Sequence, residues 1–147
     1  MTPIARYIAE KEGYRDRAYH CSEGYPTIGY GYKLSKTKWV DLSAYSAMVI
    51  SEQVAAVMLQ EKIVSIISDR RMADHLQGLI GARKAALVSM AYQLGIHGLL
   101  KFKRMLAALE LRDYDQAAAE AMDSLWAEQT PSRAEETAKM IMTGEWP

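Results

Sequence analysis

With a single cysteine, Cys21, the chain can form no internal disulfide and has no spaced thiols for a metal site. Net charge is equally scarce. Eighteen Lys and Arg offset eighteen Asp and Glu, so no broad basic field points to nucleic acid or to an anionic polymer. No stretch approaches the roughly eighteen consecutive apolar residues of a membrane span. The start, Met1-Thr2-Pro3-Ile4-Ala5-Arg6, lacks the apolar segment of a secretory signal. Synthesis in the cytoplasm is therefore expected, and a target beyond the membrane would need another route of release. His20, His75 and His97 show no ligand spacing, so neither metal nor cofactor is expected. Internal repeats, low-complexity tracts and flexible linkers are missing too.

What remains is 147 residues, 50% hydrophobic and 24% charged, enough for one compact domain or two small lobes. Thr2 as N-cap, Pro3 at the first helical position and Gly13 as a stop predict a short first helix. Ile4, Tyr7 and Ile8 would form its buried stripe. From Tyr14 to Leu34, tyrosines and isoleucines alternate with Gly24, Pro26, Gly29 and Gly31, the composition of a small twisted sheet with tight turns. Lys33 to Ser51 is mixed, a short helix around Trp39 to Met48 being the element it allows.

Ser51 is then the N-cap of a long helix over Glu52–Arg71, roughly 30 Å at about 1.5 Å per residue. Val54, Val57, Met58, Ile63, Ile66 and Ile67 would be its apolar face, and Arg70 and Arg71 suit its end. The rest reads helical: Ala82–Leu94 up to Gly95, Leu99–Leu111, an Ala-rich stretch capped by Asp113 up to about Met122, and a last helix opened by Thr130-Pro131 and closed near Gly144. The expected fold is α+β and mainly helical. A small β-containing lobe spans about 14–50, a connecting helix about 51–71, and a larger helical lobe comprises 1–13 and about 72–147.

One stretch carries chemistry. Glu12-Gly13-Tyr14-Arg15 places a carboxylate at a helix end, and Ala18 to Gly31 returns beside it as a turn-rich hairpin. Breaking a glycosidic bond needs an acid for the leaving oxygen and a second group that handles water or attacks the sugar. A helix-end glutamate facing a polar hairpin can be partly desolvated, which favours its protonated form. Taken alone, Glu12 could equally be a solvated helix-end residue, Cys21 a small buried hydrophobe, and Thr27 a partner for a hairpin backbone group.

The wider pattern resembles the phage lysozyme family (glycoside hydrolase family 24), whose signature is Glu, eight residues, Asp or Cys, five residues, Thr. Glu12, Cys21 and Thr27 stand at those spacings, within Ser22-Glu23-Gly24-Tyr25-Pro26-Thr27-Ile28-Gly29-Tyr30-Gly31. Downstream, Tyr92-Gln93-Leu94-Gly95 is similar to the family's aromatic-Gln-apolar-Gly segment along the sugar cleft. Trp126 to Ala134 resembles its Trp-x-x-Gln-Thr-Pro-x-Arg-Ala segment, and Thr143-Gly144-Glu145-Trp146 its Thr-Gly-x-Trp. The resemblance covers nearly the whole chain.

It implies a lysozyme-like two-lobe fold and a monomeric, endolysin-like peptidoglycan hydrolase, cleaving the β-1,4 bond between N-acetylmuramic acid and N-acetylglucosamine once it reaches the cell wall. Glu12 would be the proton donor. Cys21 and Thr27 would hold or activate water, giving inversion. Tyr92 and Gln93 would line the cleft, and Arg133 would pair with Glu12. Cys21 stands where many members have Asp, and an ordinary thiol with a pKa of about 8.5 is a poor base at pH 7. Tyr32 replaces the usual His. A covalent sulfur-linked intermediate, a lytic transglycosylase and a non-hydrolytic peptidoglycan-binding module of the same fold remain as alternatives.

Overall fold

A computed structural model describes residues 1–147 and divides the chain into two compact units, Met1–Val64 and Ser65–Pro147. The fold is α+β and mainly helical, with one small antiparallel sheet. No helix is long and apolar enough to cross a membrane.

The first unit opens with α1, Pro3–Glu12. Thr2 caps it as its sequence demands: its hydroxyl accepts from the Ala5 N–H at 3.2 Å and donates to Gln60 Oε1 at 3.1 Å. Gly13, with φ +69°, ends it. The buried face is Ala5, Tyr7, Ile8 and Ala9, while Ile4 is only half-buried. Strands β1 (Arg15–His20), β2 (Pro26–Gly29) and β3 (Tyr32–Lys33) then form a sheet in chain order. A bulge in β1 shifts the register between Arg15↔Gly29 and Tyr19↔Thr27. The pairing Ile28↔Tyr32 leaves a three-residue turn whose Gly29 and Gly31 both have positive φ.

The helix allowed around Trp39–Met48 contracts to a 3-10 turn at Leu42–Tyr45, capped by Asp41. Trp39 itself adopts φ +54°. A non-glycine residue there costs on the order of 1–3 kcal/mol, which its surroundings must offset.

Helix α2, Glu52–Ser68, starts at Ser51, whose hydroxyl accepts from the Val54 N–H at 3.3 Å. It stops short of the expected Arg71. Asp69 accepts from both the backbone and the guanidinium of Arg71, and this local turn competes with another helical turn. Those bonds also hold the Asp69 carboxyl well down, at a pKa of about 2. Of the expected apolar face, Ile63 and Ile66 are buried, joined by Ala55 and Leu59, whereas Val54 and Val57 are exposed. Apolar residues surround this helix, so their period alone does not select a face. Packing selects the side where Ala55 meets Gly29: a Cβ at Gly29 would lie 3.1 Å from that of Ala55.

The second unit is helical throughout: α3 (Ala73–Leu76), α4 (Gly81–Leu99), α5 (Lys103–Glu110), α6 (Tyr114–Met122), α7 (Leu125–Gln129) and α8 (Pro131–Thr143). Gly95 breaks α4 with φ +76° and ψ 158°, but a further turn follows up to Leu99, so the predicted Leu99–Leu111 helix begins only at Lys103. Asp113 caps α6 through the Gln116 N–H. Thr130, expected to cap α8, instead donates its hydroxyl to the Trp126 carbonyl at 2.9 Å, the end of α7 claiming it first. Gly144 closes α8 in the left-handed conformation. The Arg83 guanidinium caps its last carbonyls at Ile141 and Met142, at 2.8 and 3.0 Å. Leu87, Met90, Leu99, Met105, Met140 and Ile141 make the core of this unit.

Candidate functional site

In the first unit, the end of α1, the β1–β2 turn and the β2–β3 turn hold the predicted acid and its companions. Glu12 is the last residue of α1. The β2–β3 turn passes so close to its carboxyl that a Cβ at Gly31 would lie 2.7 Å from Oε2 and 3.1 Å from Cδ. Gly31 therefore serves two purposes: its φ of +69° closes the turn, and its missing side chain makes room for the acid.

Cys21 follows β1 and is half-buried. Its N–H donates to the Tyr25 carbonyl at 3.0 Å, and its own carbonyl accepts from the Gly24 N–H at 2.8 Å. Both bonds fix the turn that presents the thiol. Thr27, on β2, is only 2% exposed. Its hydroxyl donates to the Tyr25 carbonyl at 2.8 Å, a bond within the hairpin backbone. That bond commits the hydroxyl proton and leaves oxygen lone pairs, which can accept from a donor but not donate to one.

Tyr19 is a member of this group that reasoning from motif spacing missed. It sits opposite Thr27 in the sheet register. Burial raises its phenol pKa and the Glu12 carboxylate raises it further, against the opposing pull of Arg15, whose guanidinium lies 4.8 Å from the ring centre; Cys21 adds a smaller upward push. One neutral phenol thus feels both Glu12 and Cys21. The only sequence signal was its place in a strand, which does not distinguish a catalytic neighbour from a packing residue.

At the margin of this group, Tyr30 donates to Glu52 Oε1 at 2.6 Å, and Tyr14 donates to the Ile50 carbonyl at 2.6 Å. The Tyr30 phenol is pushed up to about 12, mainly by its bond to Glu52 and then by burial. These bonds tie the β2–β3 turn and the end of α1 to the start of α2.

The second unit gathers Tyr92, Gln93 and Arg133 around two buried neighbours. Tyr92 is buried, so it contributes packing more than open surface. Gln93 accepts the indole N–H of Trp126 at 3.0 Å. The Trp126 ring meets Phe102 edge-on at 5.9 Å. Arg133 donates to the hydroxyl of buried Ser89 at 2.9 Å. Beside them lies a cavity of about 580 Å³ lined in part by Leu94, Phe102, Met105, Glu120, Trp126 and Gln129. Its size is that of a small-ligand site, with an apolar floor and a few polar groups. No motif had pointed to Phe102, Met105 or Glu120.

The phage lysozyme family profile matches residues 9–137. Among curated relatives, the pre-baseplate central spike protein Gp5 of Enterobacteria phage T4 is 31% identical, the match covering 96% of this chain and 28% of that protein. Probable T4-type lysozyme 1 of Dictyostelium discoideum is 26% identical over 98% of this chain and 96% of its own length. The peptidoglycan hydrolase gp36 of Pseudomonas phage phiKMV is 29% identical over 91% of this chain and 14% of that protein. The chain thus spans nearly all of the slime-mould relative but only a small part of either phage protein. Since the matched region takes in the end of α1 with Glu12, the hairpin with Cys21 and Thr27, and most of the helical unit, the chain belongs to the phage lysozyme family.

Proposed function

We propose that this chain hydrolyses peptidoglycan, cutting the β-1,4 bond between N-acetylmuramic acid and N-acetylglucosamine with inversion. The observation that carries this reading is the Glu12 carboxyl lodged against Gly31, in the turn that follows the hairpin bearing Cys21 and, on β2, Thr27. In this reading Glu12 gives its proton to the leaving glycosidic oxygen. Water attacks the anomeric carbon from the opposite face of the sugar. Thr27 Oγ1 accepts one water hydrogen, because its own proton is committed to Tyr25, and Cys21 Sγ, acting as the thiolate, takes the proton released and becomes the thiol. After product leaves, Cys21 returns that proton to solvent and Glu12 regains one from solvent. Tyr19, kept neutral, supplies a phenol dipole near the carboxylate left on Glu12.

Gln93 and Arg133 support the helical unit through their bonds to Trp126 and Ser89, and the chain acts as a monomer on the bacterial wall. The family match and the relatives named for lysozyme or peptidoglycan hydrolysis support the reaction class. The test is Glu12→Gln on purified peptidoglycan. Reducing-end release is expected to fall by at least about 10²-fold, the usual contribution of a positioned general acid. An unchanged rate would overturn the assignment. The anomeric configuration of the first product, read by NMR immediately after mixing, separates inversion from retention.

A further inference from the structure

Outside the acid and its companions, Trp39 joins three properties that packing alone does not require. It is 66% exposed although it is a large aromatic residue. Its backbone adopts φ +54°, a conformation that side-chain-bearing residues avoid and that proteins retain chiefly where a site needs it. Its indole lies directly on Gly24: a Cβ there would fall 2.3 Å from Trp39 Cε2, so only glycine admits the ring.

The ring is also fixed in place. The Trp39 N–H donates to the Gly24 carbonyl at 2.8 Å, and Gly24 in turn donates to the Cys21 carbonyl at 2.8 Å. The His20 ring packs beside the indole at 5.2 Å between centroids, and its Nε2 donates to the Val40 carbonyl at 2.9 Å. A flat apolar face is thus held on the same turn as Cys21, two hydrogen bonds from it. On the same turn, Lys33 and Lys38 lie 4.2 and 5.0 Å from the Tyr25 ring centre, and Lys33 also pairs with Glu23 at 3.5 Å.

We propose that Trp39 is a sugar-stacking platform, which binds the C–H face of an N-acetylated pyranose of the glycan next to the turn carrying Cys21. This rests on the reading of the chain as a peptidoglycan hydrolase. A pyranose offers an apolar C–H surface, and an indole that is fixed in place and largely exposed meets it with little ordering cost at the moment of binding.

The test compares the parent chain with Trp39→Ala and Trp39→Phe on solubilised peptidoglycan glycan strands. Trp39→Ala is expected to raise KM about tenfold with kcat within twofold, the upper range for one aromatic contact, and Trp39→Phe to recover part of the loss. In the parent, bound glycan is expected to slow oxidation of Trp39 by N-bromosuccinimide, read by peptide mapping; this arm needs no variant to fold. If the parent cleaves the strands while KM and the oxidation of Trp39 are unmoved, stacking is wrong and the hydrolase reading stands. A parent that neither binds nor cleaves the strands overturns both.

Discussion

Gly31 and Glu12 occupy the same space in turn: the atom that a side chain at position 31 would add lies 2.7 Å from the Glu12 carboxyl oxygen. The glycine that closes the β2–β3 turn is therefore also the wall against which the acid rests. Gly31→Ala should push Glu12 aside and strain a φ of +69°. We expect at least a tenfold loss in reducing-end release and about 1–2 kcal/mol of destabilisation by denaturant unfolding. Full activity in a folded variant would show that Glu12 does not depend on this contact.

Cys21 separates the two roles open to the second group. If it acts on water, Cys21→Asp supplies a carboxylate that accepts a proton at neutral pH, and activity should equal or exceed the parent's. Cys21→Ser, with a weak base in the same place, should lose roughly tenfold. Loss of activity in both variants, with a retained anomeric configuration in the parent, would point to a covalent role for sulfur.

Tyr30 links the β2–β3 turn to α2 through Glu52. Its phenol is raised to about 12 from an ordinary 10.0, so the folded state favours the protonated form. The corresponding stability is fully present below about pH 10 and is lost as pH rises towards 12. Tyr30→Phe should cost about 1 kcal/mol at pH 7. Chemical unfolding at a series of pH values should show that difference narrowing only above pH 10.

Gln93 tests the helical unit. It accepts the indole N–H of Trp126, and Trp126 is buried. Gln93→Leu would leave that donor unmatched, at a cost of about 1–3 kcal/mol. A lower melting temperature is expected, together with weaker glycan binding if the neighbouring cavity receives sugar. An unchanged melting temperature would mean that water reaches the indole in the variant.

Much of this protein was legible without coordinates because its signals are local. Thr2, Pro3 and Gly13 bound α1 through backbone groups within a few residues of one another. Asp113 and Gly144 act in the same way at their helix ends, and the glycines of the hairpin specify turns through their own dihedral angles. The spacing of Glu12, Cys21 and Thr27 is likewise a property of the chain. Tertiary structure decided whatever required comparison of distant alternatives. Val54 and Val57 on one side of α2 and Ala55 and Leu59 on another are all apolar, and packing, with Ala55 against Gly29, buried the second pair. Thr130 had two backbone partners within reach, and the end of α7 took its hydroxyl. Glu12 remained an ordinary helix-end glutamate until a turn nineteen residues on was folded against it. Order along the chain sets the residues and their caps; which of them share a few ångströms is a property of packing.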